Sequence, residues 1–355
     1  DKNAQQYAAE RAEALKEIGI NFESLIVEFV GQTKNINGAL RFLNCGTGVE
    51  RVEILRRASL EDLDYGLPKQ YSELFPVLAD YLSLAFDYGN YEIFSYFKEY
   101  RKLKINNTIT NEFVQLAYDT NVPNTYATRD SVLVELKAEP DTALLVVDAM
   151  SVEYMPLLLA LAKHRGMNIE SQSVVAANLP TETQLNPIEW DDSRKLTQIR
   201  SVDNIVHNGA AKHEMCTPER NFAETLRVFE TEIMNRIADG LTSFARIVVT
   251  ADHGASRLAV IARRENKGET LPWVGQPDDW RYSIAPQGVP RPPELEQEYF
   301  PETKKTYWVV RGYNRLPKMG GKMYELHGGA SLEERLVPIV VFSRNAATEE
   351  PKQLR

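Results

Sequence analysis

Imidazole chemistry in this chain rests on five histidines, His164, His207, His213, His253 and His327. His253 stands in Ala251-Asp252-His253-Gly254, directly after the β-branched run Arg246 to Thr250. A carboxylate beside an imidazole suits a hard cation that tolerates nitrogen, zinc foremost. Asp148 ends a second such run, Ala143 to Val147, although an aspartate there also serves to cap a following helix. Asp203 and His207 are four residues apart, and on a helix that spacing puts both on one face, enough for two ligands of one metal. His327 opens His327-Gly328-Gly329-Ala330-Ser331, where two glycines permit a close approach to a site. His164, in Lys163-His164-Arg165-Gly166, reads instead as a cation at a helix C-terminus. His213 lies in a polar stretch and has no partner motif. The remaining set is three aspartates and three histidines, more than one tetrahedral zinc takes and suited to two.

A nucleophile would complete such a site. Leu179-Pro180-Thr181-Glu182-Thr183-Gln184-Leu185-Asn186 offers two threonines. Two metals can hold a threonine as its alkoxide and clamp both oxygens of an in-line displacement. The same stretch also reads as a turn that caps a helix through its Thr-x-x-Glu/Gln spacing. The residues alone leave Thr181 and Thr183 equal.

These groups need a scaffold, and the pattern of the chain describes one. Before about residue 125 the apolar spacing is helical, most clearly from Tyr71 through Leu78 and Tyr81 to Phe86, then again from Tyr91 to Tyr100. From about 140 to 345 short buried strands alternate with helices: Ala143 to Val147, a helix over Met155 to His164, an alternating strand near Ile169 to Ala177, a helix from Phe222 to Ile237, Arg246 to Thr250, and Val337 to Phe342. The expectation is an α/β fold, a mostly parallel sheet with helices on both faces, preceded by an all-α region over 1–125. Sheets of that kind bind ligands beyond the carboxyl ends of their strands, where Asp148 and Asp252 fall. Between Glu265 and Lys305 lies a loop-like insertion with seven of the chain's 18 prolines, Trp273 and Trp280. It reads as a lid whose tryptophans either stack on a base or anchor the loop.

Composition removes several classes of function. A net charge of −9 argues against a nucleic-acid coat or a membrane-surface binder, both of which need a basic face. Cys45 and Cys216 form no C-x-x-C, which disfavours a disulfide framework and fits a reducing cytoplasm. The longest apolar stretch, Met155 to Ala162, is far short of the ~20 residues that span a bilayer. No G-x-x-x-x-G-K-[ST] is present, which disfavours a P-loop NTPase. No signal peptide is visible, and a chain that starts at Asp1 without Met reads as a fragment of something longer.

In order along the chain, Asp148, Pro180-Thr181-Glu182-Thr183, Asp203-x3-His207, Asp252-His253 and His327 resemble the alkaline phosphatase superfamily. The likeness is strongest to its nucleotide pyrophosphatase/phosphodiesterase branch, in which Pro-Thr-x-Thr-x-x-Asn holds the nucleophile. Leu-Leu-Val-Val-Asp, Leu-Pro-Thr-x-Thr, Thr-Ala-Asp-His-Gly-Ala and His-Gly-Gly-Ala-Ser-Leu-Glu-Glu-x-Leu-Val-Pro resemble more narrowly the PglZ-domain family. That family includes a component of BREX phage-defence systems and the output domain of PorX-type response regulators. No receiver domain is recognisable here, so the BREX setting fits better. The resemblance implies an alkaline-phosphatase-like catalytic domain over 140–345. One metal would be held by Asp148, Thr183, Asp252 and His253, the other by Asp203, His207 and His327, with Thr183 as the nucleophile. It implies two Zn²⁺, with Mn²⁺ as a substitute, and a cytoplasmic metal-dependent hydrolase. The substrates would be phosphate esters, nucleotides or oligonucleotides among them, and the partners other defence proteins. Three carboxylates and a threonine alkoxide would offset the charge of two zinc ions, leaving a site that takes a monoanionic diester. A dianionic monoester would want an added cation, for which Arg257, Arg263, Arg264 and Lys322 are the candidates. A monoesterase, phosphomutase or sulfatase of the same superfamily, and a non-catalytic metal-binding scaffold, are the rival readings.

Overall fold

A computed structural model describes residues 8–19, 22–32, 43–210, 216–301, 303–320 and 323–344. His213 and Lys322 lie outside the described residues. Every α-helix or strand described before residue 142 is a helix, the longest Tyr91–Asn106. Asn90 caps that helix by accepting from Ile93 N, and Asn107, at φ 51°, closes it. The stripe from Tyr71 to Phe86 is not one helix but two, Lys69–Leu74 and Pro76–Tyr81. Pro76 has no N–H to give and pushes Phe75 out of the helical region, to φ −135° and ψ 74°.

The main sheet has the order β1-β3-β7-β2, with β1 Thr142–Val146, β2 Asn168–Ala176, β3 Arg246–Thr250 and β7 Leu336–Ser343. All of β1 is buried, as is β7 up to Phe342, so both of their faces are covered. Burying each Leu, Val or Ile of these strands stabilises the fold by roughly 1.5–3 kcal/mol. Helix Met155–His164 packs against β2 and helix Met234–Ser243 against β3 and β7. A single hydrophobic core runs from Ile54, Phe75 and Tyr96 through to the sheet.

Two expectations are corrected. The sheet is mixed rather than mostly parallel: β1 and β3 pair in parallel, but β7 runs antiparallel to both β3 and β2. The reason is local. The chain arrives from His327 already at the carboxyl ends of β1 and β3, and only helix Leu332–Arg335 precedes β7. With no crossover to carry it to the other end, β7 must run back. β2, at the sheet's edge, is mostly exposed rather than alternating.

The insertion is also more than a loop. Within 265–305 and just beyond, β4 Tyr282–Ile284, β5 Leu295–Phe300 and β6 Lys305–Val310 form an antiparallel sheet of order β4-β6-β5. Leu271, Leu295, Trp308, Val310 and Leu316 give it a small core of its own, with Trp273 packed on the edge. Trp280 is 4% exposed, donates from its ring to Lys318 O, and carries Arg263 over its face at 3.5 Å. That face is taken, so Trp280 anchors the insertion and does not stack on a base.

Candidate metal centre

The sheet brings one end of five segments together. β1 and β3 are in register, Val146 opposite Thr250, so Asp148 and Asp252 leave adjacent strand ends side by side. On the outer side of β1 the segment 195–199 runs parallel to it, through Leu196 N to Leu144 O and Ile199 N to Val146 O. It leads into helix Ser201–Asn208, which carries Asp203 and His207. β2 points the same way as β1 and delivers the loop with Thr183, while reversed β7 starts where the His327 loop ends.

The predicted ligands fall into two groups, Asp148 with Asp252 and His253, and Asp203 with His207 and His327, each with ligand atoms within 4.8 Å of one another. The rings of His253 and His327 stack with centroids 4.4 Å apart, so the groups adjoin. Thr183 Oγ1 lies 3.0 Å from His253 Nε2 and 3.5 Å from Asp148 Oδ1. Thr183 is exposed, whereas Thr181 is fully buried and donates to Gly329 O while accepting from Gly328 N. The two threonines that are equal in the sequence are therefore unequal in space: Thr183 faces the acids and imidazoles, and Thr181 pins the His327 loop.

The donors fit divalent cations. Asp252 Oδ1 accepts from the backbone of Ala149 and His253, but its Oδ2 is buried with no hydrogen-bond partner. Buried carboxylate oxygens are costly unless a hydrogen bond or a cation satisfies them. His327 Nε2 and His207 Nε2 face each other at 3.0 Å, with Asp203 Oδ1 3.2 Å from the latter. Two nitrogens on one tetrahedral zinc stand roughly 3.3 Å apart, so this convergence fits a pair of ligands.

Without a cation the acids crowd one another. Burial, then the charges of Asp252 and Asp203, push the Asp148 carboxyl up to about 8. Burial pulls the His327 imidazole down, but the hydrogen bond and charge of Glu182 outweigh it and lift it to about 9. Burial holds the His253 imidazole below its ordinary range, against the opposing pull of Asp252. Burial raises the Asp203 carboxyl, yet its contact with His207 leaves it below the usual range.

Several positioning residues carry no local signal in the sequence. Gln198 donates to Asp148 Oδ2 at 2.9 Å, leaving Oδ1 for the centre. Arg129, 1% exposed, donates to Asp252 O at 2.8 Å. Glu334 accepts from Gly329 N, from Ser331 and from buried Arg281, and so holds the loop after His327. A Cβ on Gly329 would lie 2.5 Å from Arg281 Nε, and one on Gly254 would run into Glu333 O and 2.9 Å from Ser151 Cα. Both motif glycines are there because other groups pack against the bare backbone. Ala149 holds φ 62° directly after Asp148, an L-residue conformation that costs of order 1–3 kcal/mol and clusters at functional sites.

The arginines that follow His253 are occupied elsewhere. Arg257 binds Asn107 and Tyr324 O, Arg263 covers Trp280, and Arg264 reaches Asn107 O and Glu265. Among the described residues no Arg or Lys forms an ion pair with Asp148, Asp203 or Asp252. His164 belongs to neither group and pairs with Asp80 at 3.5 Å.

No protein-family profile matches the chain, and no curated protein is similar to it. Among solved structures, a match is phosphonoacetate hydrolase from Sinorhizobium meliloti 1021 in complex with phosphonoacetate, at 15% identity over 60% of this chain and 68% of that one, with a TM-score of 0.25. At that TM-score the match carries no argument about fold or activity.

Proposed function

We propose that this protein is a two-metal phosphoester hydrolase with Thr183 as its nucleophile, acting on phosphodiesters of nucleotides or oligonucleotides. The observation that carries the reading is the position of Thr183 Oγ1 beside His253 and Asp148, where two Asp/His groups adjoin. Asp148, Thr183, Asp252 and His253 would hold one divalent cation, and Asp203, His207 and His327 the other. The metals, zinc first and manganese as the substitute, supply Lewis-acid stabilisation of the threonine oxygen and the leaving oxygen and a water of lowered pKa.

The chain's own residues do the rest. Thr183 presents its hydroxyl oxygen on an exposed 3-10 turn, Thr183–Leu185, where an ester can approach. Its oxygen forms the bond to phosphorus as the leaving oxygen departs, and water then cleaves the phosphothreonine. Gln198 and Arg129 keep Asp148 and Asp252 aimed, and Thr181 with Glu334 keeps His327 in place. Because Arg257, Arg263 and Arg264 bind elsewhere, the site favours a monoanionic diester over a dianionic monoester. The PglZ-like motifs support a place in a bacterial phage-defence system of the BREX kind, in the cytoplasm and alongside other defence proteins.

The test is metal analysis of the purified protein together with turnover of a chromogenic phosphodiester and phosphomonoester. Two metals per chain, with faster diester cleavage that Thr183→Ala abolishes, is the expected result. Fewer than two metals after reconstitution, or full turnover by Thr183→Ala, overturns the reading.

A further inference from the structure

Glu182 sits between the two threonines and has no part in the ligand set. Its Oε2 lies 3.3 Å from His327 Nδ1, and Thr181 O lies 3.2 Å from the same nitrogen. The ring's other nitrogen, Nε2, is the one that faces His207. A metal at Nε2 would displace that nitrogen's proton, while Nδ1 would keep its own, shared between a neutral carbonyl and a carboxylate. The carbonyl alone would fix this tautomer. What Glu182 adds is a negative charge on the far side of the ring, which makes Nε2 a stronger donor.

Nothing else in the described structure uses this side chain. His327 is its one polar partner, while the part Glu182 takes in shaping the loop runs through its backbone: its N donates to Pro180 O, and its carbonyl accepts from Leu185 N and Asn186 Nδ2. The side chain is 24% exposed, so its burial contributes little to the core. A carboxylate partly withdrawn from water, beside the nucleophile and aimed at an imidazole, is poorly explained as scaffold.

We infer that Glu182 is a positioning residue for the second metal, strengthening His327 as a ligand through the proton on Nδ1. This rests on the two-metal reading above. Removing such a partner of a ligating histidine typically costs ~10–100-fold in metal affinity.

The experiment measures zinc affinity by competition with a chromogenic chelator for the wild-type protein, Glu182→Gln and Glu182→Ala, with the circular-dichroism spectrum of each metal-free protein alongside. Gln preserves shape and an acceptor but removes the charge. The expected result is two zincs on the wild type, and in both variants a loss of about ten-fold or more at one zinc only, with unchanged spectra. Two zincs bound by Glu182→Gln at wild-type affinity overturn the inference and leave the two-metal reading standing. Equal weakening of both zincs, or an altered spectrum, also overturns it, since Glu182 would then be part of the scaffold. A wild-type protein that takes up no zinc defeats the two-metal reading, and this inference with it.

Discussion

Replacing each threonine of the 181–183 stretch by alanine separates chemistry from scaffold. Thr183 is exposed and contacts only His253 and Asp148 through its hydroxyl, so its removal should change the unfolding free energy by no more than about 0.5 kcal/mol. Turnover should nevertheless fall by at least about 10³-fold, because no other hydroxyl stands at that point. Thr181→Ala acts in reverse. Its hydroxyl donates to Gly329 O at 2.8 Å and accepts from Gly328 N at 2.9 Å inside a fully buried site. Gly328 N keeps a second acceptor in the Thr181 carbonyl at 3.0 Å, so the change orphans one group, the Gly329 carbonyl. One unsatisfied buried acceptor costs about 1–3 kcal/mol. Urea unfolding gives the two stabilities, and initial rates on a chromogenic diester give the two activities. Loss of activity in Thr181→Ala at unchanged stability, equal to that of Thr183→Ala, would refute the assignment of the nucleophile.

Asp252→Ala and His327→Ala should each lose bound metal along with activity, and full occupancy by elemental analysis in both would mean that neither is a ligand. In the metal-free protein Asp148 sits near 8 instead of 3.8 and His327 near 9 instead of 6.5. A group raised in the folded state loses its contribution as pH climbs from its unfolded to its folded value, so stability should fall as pH rises from about 4 to 9, and zinc should reduce that fall. A urea midpoint that rises over this window in the metal-free protein would contradict the charge crowding described here. Arg281→Met strands the buried Glu334 carboxylate and should cost about 3–5 kcal/mol in urea unfolding; a change below about 1 kcal/mol would show that Glu334 finds other partners. Replacing the insertion by a short Gly-Ser link should lower thermal stability and activity on a small diester together, because Arg281 and Trp280 tie it to the site's support; an altered nucleotide preference with stability intact would restore the lid reading.

Much of the centre is legible because its ligands follow from local rules. Apolar β-branched runs at 143–147, 246–250 and 337–342 are strands, and an acid directly after the first two lies at a strand end. The i, i+4 spacing of Asp203 and His207 acts as written once helix Ser201–Asn208 forms. What could not be read are contacts between distant segments. Gln198 and Arg129 look like surface residues in the sequence, and only the pairing of 195–199 with β1 and the docking of helix Arg129–Ala138 aim them at aspartates. The direction of β7 is equally hidden, since a buried run has the same composition either way. In the insertion, prolines mask the aromatic and β-branched run Thr306 to Val310 that becomes the middle strand of the small sheet. Glu182 stands in plain view between two threonines, but its partner is His327, 145 residues on.

The placement of β7 imposes an order of events on synthesis. β2 is complete at Ala176, yet its ladder partner does not begin until Leu336, 160 residues later. At 5–20 residues per second a ribosome takes about 8–32 s to cover that gap. Throughout it β2 has no strand to pair with, and once β3 is made its inner edge is bare as well. His327 also emerges late, just ahead of β7, so the Asp203–His207 pair waits for its third member over most of the same interval. The nascent chain thus carries unpaired strand edges and half a metal site for seconds, exposed to aggregation and to cations that a finished centre would discriminate against. The segment from His327 through β7 closes the sheet and completes the candidate metal centre, so the two are finished at the same step.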